Sequence, residues 1–275
     1  MTFLAVVQMN AQDDIEANFR VIESLIQQGK AQGAELIVFP ENFVCFAAGK
    51  QRETAVQFES IQQRLEQLAQ QYQIWIVAGT LPCPFRPDGS IITDGRVRTA
   101  SLCISPERTE ARYDKIHLFD VQVGDTVGGY QESAVFEPGD AVVVAKTPFG
   151  NIGLMVCYDL RFAELSLMLR AQGADMLTAP SAFTYTTGQM HWQLLLQARA
   201  IDSQCQVLGA AQQGWHVNHT RQTWGHAMAT HAQGRVLGEV TDAGAQLTVV
   251  PFDLAEQNHI RSAMPLLQHR RLIHL

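Results

Sequence analysis

Short apolar runs of strand length alternate with amphipathic helical segments along this chain, and this alternation restricts the fold more than any other feature. Leu36–Phe39 and Ile74–Gly79 are two such runs. Apolar side chains recur at helical spacing at positions 15, 19, 22 and 26, directly after Asp13 and Asp14, which can cap a helix, and again at positions 58, 61, 65 and 68. The pattern predicts a protein of the α/β or α+β class, with helices covering packed sheets. No internal repeat or linker interrupts it, so we expect a single domain over residues 1–275.

Later segments extend the same alternation. The sequence predicts a helix from about Gln189 to Ser203 and extended chain near Thr223–Thr230. Between the early and late elements, a Gly-rich loop is expected from Gly124 to Gly129. The last third of the chain is therefore predicted to consist mostly of strands.

Composition narrows the possible partners and the compartment. The chain is 47% hydrophobic and carries a net charge of −7 with no run of Lys or Arg, so neither nucleic acid nor an anionic membrane surface is expected as a partner. Met1–Gln8 lacks a basic start and predicts a first strand rather than a signal peptide, and no apolar run reaches the ~18 residues of a membrane span. The five cysteines are odd in number and scattered, which favours reduced thiols and a cytoplasmic location.

One cysteine lies where a nucleophile is expected. Asn151–Val156 is an apolar strand pattern, and Tyr158 opens a predicted helix that continues to Gln172. Cys157 lies between them, at a strand-to-helix turn on the carboxyl edge of the sheet, where α/β folds place their chemistry. A free cysteine is often just a small buried hydrophobe, so position alone leaves both interpretations open.

Two further ionisable residues follow apolar strands. Glu41 comes directly after Pro40, which cannot continue a central strand, and Lys115 lies in a half-apolar segment. A desolvated glutamate can accept a thiol proton near neutral pH, and an adjacent ammonium stabilises both the thiolate and an oxyanion. Each residue taken singly is more typical of a solvated surface charge. The three together favour nucleophilic catalysis.

At these positions the sequence resembles the nitrilase superfamily of carbon–nitrogen hydrolases, whose triad runs Glu-Lys-Cys in chain order. The resemblance continues almost end to end. The segments that carry it are Phe39–Asn42, Lys115–Asp120, Cys157–Leu165, Thr186–Trp192, Arg199–Asp202, Trp224–His226 and Pro265–Arg271. It implies a four-layer αββα sandwich that assembles as a homodimer or a larger homo-oligomer.

The same resemblance implies roles for individual residues. Glu41 is expected to act as general base, Cys157 as nucleophile, and Lys115 with the Tyr158 backbone N–H as oxyanion stabilisers. Attack on an amide carbonyl would release ammonia, and water would then hydrolyse the thioester, with no cofactor. Glu132 matches a second family glutamate that orients the substrate amide or the water. Without the resemblance, Glu132 would be assigned as a loop carboxylate facing solvent.

A substrate pocket is predicted around the nucleophile. Arg161 lies four residues after Cys157, where it could hold a substrate carboxylate bidentately or brace the turn by pairing with Asp159 or Glu164. We expect the remaining wall of the pocket to include Tyr158, Phe183, Thr187 and His191.

Histidines gather late in the chain, but they do not predict a metal site. The cluster comprises His216, His219, His226 and His231, and no cysteine or carboxylate stands at ligand spacing around it. No metal is expected.

Within the superfamily, the chain is most similar to small amidases. Arg199–Cys205 and Ala210–Gly214 look most like deaminated glutathione amidases, whereas Phe162–Leu165 and Lys115–Asp120 look equally like ω-amidases, which act on 2-oxoglutaramate. The resemblance therefore implies hydrolysis of a small carboxylated amide, with deaminated glutathione expected first. Two readings from other classes stay open: a catalytically silent interaction protein, and a thiol redox sensor centred on Cys157.

Overall fold

Two packed β-sheets form the centre of the fold in the computed structural model of this protein, which describes residues 1–123, 128–217, 219 and 221–271. The strands of these residues are β1 Thr2–Met9, β2 Leu36–Val38, β3 Trp75–Cys83, β4 Arg98–Ile104, β5 Thr109–Asp114, β6 Asp120–Gln122, β7 Gly129–Gln131, β8 Val144–Ala145, β9 Ile152–Leu154, β10 Met176–Thr178, β11 Gln206–Gly209, β12 Ala211–His216, β13 Arg221–Trp224, β14 Met228–Thr230, β15 Val236–Glu239 and β16 Gln246–Phe252.

Helices flank both sheets. The α-helices of the described residues are α1 Ile15–Ala31, α2 Gln51–Val56, α3 Phe58–Tyr72, α4 Ala163–Ala171, α5 Tyr185–Ser203, α6 Leu254–Ala263 and α7 Leu266–His269. The predicted start of α1 is confirmed, because the Asp14 side chain accepts a hydrogen bond from the Ala17 backbone N–H. The predicted apolar face is also confirmed, since Phe19, Ile22 and Ile26 are buried.

The first sheet has the strand order β13-β12-β1-β2-β3-β4-β5, and β16 pairs antiparallel with β1. Because side chains alternate along a strand, β1 serves two layers. Leu4 and Val6 belong to the core between the sheets, whereas Ala5 and Val7 pack into a second core with the apolar faces of α1 and α3. This sheet therefore separates a helical layer from the second sheet.

The second sheet has the order β15-β14-β11-β10-β9-β8, with β9, β10 and β11 parallel. Ile152 and Leu154 of β9 share the inter-sheet core with Leu4 and Val6 of the first sheet. Between them, Gly153 faces α4, where a Cβ would crowd Leu169. With α4 and α5 covering this sheet, the layers run helix, sheet, sheet, helix, and the predicted αββα sandwich is confirmed.

Two predicted elements are divided in the structure. The helix expected from Tyr158 to Gln172 is a 3₁₀ turn over Cys157–Arg161 followed by α4, because Phe162 between them is extended. The extended segment expected at Thr223–Thr230 is two strands in different sheets, β13 and β14, separated by left-handed backbone at Gly225 and His226. Residues in this conformation turn the chain out of a ladder.

Other boundaries shift more modestly. Helix α5 begins at Tyr185, four residues before the predicted start, because Thr184 caps it by accepting a hydrogen bond from the Thr187 N–H. Of the predicted Gly-rich loop, residues 124–127 lie outside the described residues, and Gly129 begins β7. Within the described residues, no helix combines the length and apolar character needed to cross a membrane.

Candidate active site

The structure brings Glu41, Lys115, Glu132 and Cys157 together at one edge of the sandwich. Glu41 follows β2, Lys115 follows β5 directly, and Cys157 follows β9. Glu132 opens a one-turn 3₁₀ helix after β7. The two sheets therefore contribute to one site, with the cysteine supplied by the second sheet and the lysine and Glu41 by the first.

Lys115 is the centre of the charged cluster. Its Nζ lies 2.9 Å from Glu41 Oε1 and 2.8 and 3.1 Å from the two carboxylate oxygens of Glu132. Lys115 and Glu41 are almost completely buried, at 1% and 3% exposure. Burial alone would lower the pKa of Lys115, but the carboxylates of Glu132 and Glu41 raise it well above its ordinary value. The lysine is therefore charged.

Backbone packing fixes the position of Glu41. Gly79 of β3 passes so close to Pro40 that a Cβ at position 79 would overlap the Pro40 carbonyl oxygen. The Gln212 side chain donates to the Glu41 carbonyl at 2.9 Å, and the Asn42 N–H donates to Thr80 Oγ1 at 2.9 Å. The turn at Glu41 is thus held from β3 and β12, which leaves its carboxylate little freedom.

Lys115 is fixed in a similar way. Its N–H donates to the Thr99 carbonyl at 3.0 Å, and its carbonyl accepts from the Gly139 N–H at 2.8 Å. The preceding Asp114 is held by Arg112 and Arg98, at 2.7 and 3.3 Å. These contacts anchor the end of β5 against its neighbours, so the ammonium group is positioned before any substrate binds.

Cys157 occupies a left-handed backbone conformation, with φ of 48°. This conformation is unfavourable for a non-glycine residue by about 1–2 kcal/mol and recurs at functional turns. The Cys157 N–H donates to the Pro180 carbonyl at 2.9 Å. The surrounding hydrogen bonds therefore hold a strained turn that presents the thiol to the cavity.

Asp159 is the main support of this turn, and it was not predicted as a site residue. Its carboxylate is fully buried and accepts from Tyr113 Oη at 2.7 Å and from the Val156 N–H at 2.8 Å. It also accepts from the His117 N–H at 3.1 Å, and His117 Nδ1 lies 2.7 Å from it. These bonds tie the turn at Cys157 to the end of β5, where Lys115 stands.

The thiol of Cys157 is protonated in the resting site. Burial raises its pKa far above the ordinary range, and the nearby Glu41 carboxylate raises it further. Lys115 and a backbone hydrogen bond from Ala182 act in the opposite direction but do not outweigh these effects. Any reaction of this sulfur as a nucleophile would therefore require a base to remove its proton.

An inner cavity opens beside Cys157, and it contains most of the predicted pocket residues. Its described wall comprises Glu41, Phe119, Glu132, Cys157, Tyr158, Arg161, Ala182, Phe183, Thr184, Thr187 and Arg221. Of the predicted pocket residues, His191 is not on this wall. Its Nδ1 lies 3.3 Å from Arg161 Nη1 instead.

The structure does not show one of the two roles predicted for Arg161, namely bracing the turn by pairing with Asp159 or Glu164. Asp159 is occupied by Tyr113, His117 and the Val156 N–H, and among the described residues no carboxylate forms an ion pair with Arg161. Its guanidinium lies 5.4 Å from the Phe183 ring centre and 5.9 Å from that of Tyr158. The cation on the cavity wall thus keeps its charge available for a ligand.

The late histidines are dispersed rather than clustered. His216 is buried, with its ring nitrogens near the Ala11 carbonyl and Thr223 Oγ1, and burial lowers its pKa to about 4. His226 contacts Glu239, and His231 lies near Glu256 on α6. Each of these three histidines has a local structural partner.

Comparison with known proteins agrees with this fold and site. The sequence model of the family described as Carbon-nitrogen hydrolase matches residues 3–261, and the chain belongs to this family. The expected class of enzyme, a carbon–nitrogen hydrolase of the nitrilase superfamily, is confirmed.

Three individual proteins are similar to this chain over nearly its whole length. The chain is 42% identical to a deaminated glutathione amidase of Yersinia enterocolitica, over 98% of this chain and 93% of the relative. It is 40% identical to a deaminated glutathione amidase of Synechocystis, over 97% of each. Among solved structures, Saccharomyces cerevisiae Nit3, a member of branch 10 of the nitrilase superfamily, superposes with a TM-score of 0.84 at 26% identity, over 98% of this chain and 97% of that one.

Proposed function

We propose that this protein is an amidase that hydrolyses deaminated glutathione, the 2-oxo-acid analogue of glutathione. One observation carries the chemistry: a buried thiol lines the same cavity as Glu41 and Glu132, and both carboxylates contact the buried Lys115 ammonium at 2.8–3.1 Å. The relatives named as deaminated glutathione amidases support the substrate. The bond cleaved in this proposal is the amide that joins the 2-oxo-acid to the cysteine residue.

Acylation begins with proton transfer. Glu41 accepts the thiol proton as Cys157 Sγ attacks the amide carbonyl, and Lys115 with the Tyr158 N–H stabilises the oxyanion. The tetrahedral intermediate collapses, the C–N bond breaks, and Glu41 returns the proton to the amine. With deaminated glutathione the departing amine is cysteinylglycine, whereas a primary amide releases ammonia.

In deacylation, water is the attacking group and the sulfur is the leaving group. Water attacks the thioester, a carboxylate takes its proton, and the proton passes to the sulfur as the 2-oxo acid leaves. Glu132 has two contacts that orient it for this step: Lys115 Nζ and the Phe119 N–H, which donates at 2.8 Å. We assign it to the positioning of the substrate amide or the water.

Arg161 is our candidate for the carboxylate of the 2-oxo acid. It lines the cavity wall and has a guanidinium that can form paired hydrogen bonds. Arg161→Met should raise KM for 2-oxo-acid amides far more than for propionamide. If the residue only braces the turn, both substrates will suffer alike and the melting temperature will fall.

A direct assay tests the proposal. Purified protein is given deaminated glutathione and 2-oxoglutaramate separately, and release of the common product, 2-oxoglutarate, is measured. We expect a higher kcat/KM for deaminated glutathione. The reverse order would assign the protein as an ω-amidase, and turnover of neither by a folded protein would favour a silent interaction protein or a redox sensor.

We further propose that the protein assembles as a homodimer or a larger homo-oligomer and that it is located in the cytoplasm. Helix α5 exposes Met190, Leu194 and Ile201, at 53%, 66% and 49% exposure, and apolar side chains of this size are often covered in an assembly. We also expect the C-terminal segment Leu266–Ile273 to lie at the interface, because its mixed apolar and basic side chains suit packing across a symmetric interface. Positions 272 and 273 of this segment lie outside the described residues. Sedimentation of a monomer at micromolar concentration would contradict the assembly.

A further inference from the structure

An outer groove adjoins the inner cavity, and two residues form the boundary between them. The described residues that line this groove include Asn42, Phe46, Tyr130, Glu132, His216 and Arg221. Only Glu132 and Arg221 line the inner cavity as well. The groove therefore continues from the side of the cavity where these two residues stand.

The two spaces differ greatly in size. The inner cavity has a volume of about 10 Å³, which suffices for one water molecule, whereas the groove has about 300 Å³. A tripeptide derivative with its scissile carbonyl at Cys157 must extend beyond the inner cavity. The groove is the adjoining space with room for the rest of the molecule.

Arg221 is the distinctive charge at this boundary. Its guanidinium lies between two rings, 4.9 Å from the centre of Phe46 and 5.0 Å from that of Tyr130. Its Nη2 donates to the Ala182 carbonyl at 2.9 Å, whereas its Nε is buried and has no hydrogen-bond partner among the described residues. No carboxylate of the described chain forms an ion pair with it.

Other charges of the groove are already compensated. Glu132 is paired with Lys115 at 2.8 Å, and burial of His216 lowers its pKa to about 4, so that its ring is neutral near pH 7. A partly buried cation without an anionic partner is energetically unfavourable. A carboxylate that binds to it offsets this cost by forming charge-assisted hydrogen bonds. The groove therefore favours an anionic ligand at Arg221.

We infer that the outer groove binds the amine half of the substrate and that Arg221 binds the carboxylate at the end of that half. The inference rests on the proposed function. Deaminated glutathione has two carboxylates, one on the 2-oxo acid and one on glycine, and the site has two arginines without a carboxylate partner among the described residues, Arg161 and Arg221. 2-Oxoglutaramate has the first carboxylate only, so Arg221 selects for a peptide-like leaving amine.

Two substrates with the same acyl half can distinguish binding of the leaving amine by Arg221 from a general effect of this residue on catalysis. Deaminated glutathione and 2-oxoglutaramate give the same thioester and differ only in the leaving amine. Arg221→Met should lower the ratio of their kcat/KM values, deaminated glutathione over 2-oxoglutaramate, on the order of 10- to 100-fold, as expected for a lost charge-assisted hydrogen bond. Arg161→Met is the matched control, because it should lower both values and leave the ratio nearly unchanged.

A modified substrate gives a test on the unaltered protein. Deaminated glutathione whose glycine carboxylate is converted to the amide should lose a similar factor in kcat/KM with the wild type. With Arg221→Met, the acid and the amide should be hydrolysed at nearly equal kcat/KM. Arg221→Lys should lie between, since it keeps the charge but loses the paired geometry.

Two results would overturn the inference. An equal loss on both substrates in Arg221→Met would mean that the residue only supports Ala182 beside Cys157. A wild type indifferent to capping of the glycine carboxylate would remove the anionic subsite, even if Arg221→Met fails to fold. Failure of the proposed function is distinct, because the wild type would then hydrolyse neither 2-oxo-acid amide or would prefer 2-oxoglutaramate, and the subsite assignment would fall with it.

Discussion

Replacing Lys115 by Met should destabilise the protein in a way that depends on pH. The change leaves the carboxylates of Glu41 and Glu132 facing a buried site without their shared cation, which lies 2.9 and 2.8 Å from them. Removing one partner of a buried ion pair typically costs about 3–5 kcal/mol of unfolding free energy. An unfolding entropy of about 2.1 cal/mol/K per residue over 275 residues gives roughly 0.6 kcal/mol/K. The expected fall in melting temperature is therefore about 5–9 °C.

The sign of the pH dependence follows from proton binding. In the variant, the buried carboxylate of Glu41 and the partly exposed one of Glu132 will share one proton, so the folded state binds more protons near neutral pH than the unfolded chain. Stability of the variant relative to wild type should therefore rise as pH falls, by up to about 1.4 kcal/mol per pH unit. Urea unfolding at intervals from pH 8 to pH 5.5 measures this slope.

A surface lysine provides the control. Lys50 also lies 2.8 Å from a carboxylate, that of Glu53, but both side chains are largely exposed. Lys50→Met should leave the melting temperature and its pH dependence close to wild type, because solvent screens the pair. Equal stability of Lys115→Met and wild type at pH 8, or a loss with no pH dependence, would refute a buried charge cluster.

Four further outcomes are expected. Cys157→Ala should abolish amide hydrolysis with the fold retained, and wild-type-like turnover would exclude the cysteine as nucleophile. Glu41→Gln should lower kcat by ~10²-fold or more, and a change below a few-fold would mean that another base acts. Gly79→Ala should destabilise the fold and reduce activity, because its Cβ would displace Pro40, and unchanged kcat and melting temperature would contradict the packing. Hydrogen bonds from Arg86 lower the pKa of Glu137 to about 2, from 4.5 when unfolded, so stability should fall as pH drops through this interval, and Glu137→Gln should remove that part of the acid sensitivity.

Local patterns in the sequence were sufficient for most of the elements and for the position of Cys157 after a strand. The helical spacing of apolar residues up to Ile26 and the cap at Asp14 both depend on residues close together in the sequence. Both predictions are confirmed in α1. The position of Cys157 after an apolar strand is equally local. The family motifs added Glu132, which on its own looks like an exposed loop carboxylate, because its partner Lys115 is 17 residues away in the chain.

Tertiary structure decided the features that depend on distant chain segments. Asp159 looked available to Arg161, its close neighbour in sequence, but it bonds Tyr113, which is 46 residues away, and Arg161 is left facing the cavity. The sequence did not predict a role for Arg221. Its position depends on the hydrogen bond to the carbonyl of Ala182, which lies 39 residues earlier in the chain. A side chain's own neighbourhood in sequence determines whether it lies on a helix or a strand, whereas its electrostatic partners depend on how the sheets pack. The position of Cys157 after a strand was therefore encoded locally, and only the packed sandwich determined which charges remain open to a ligand.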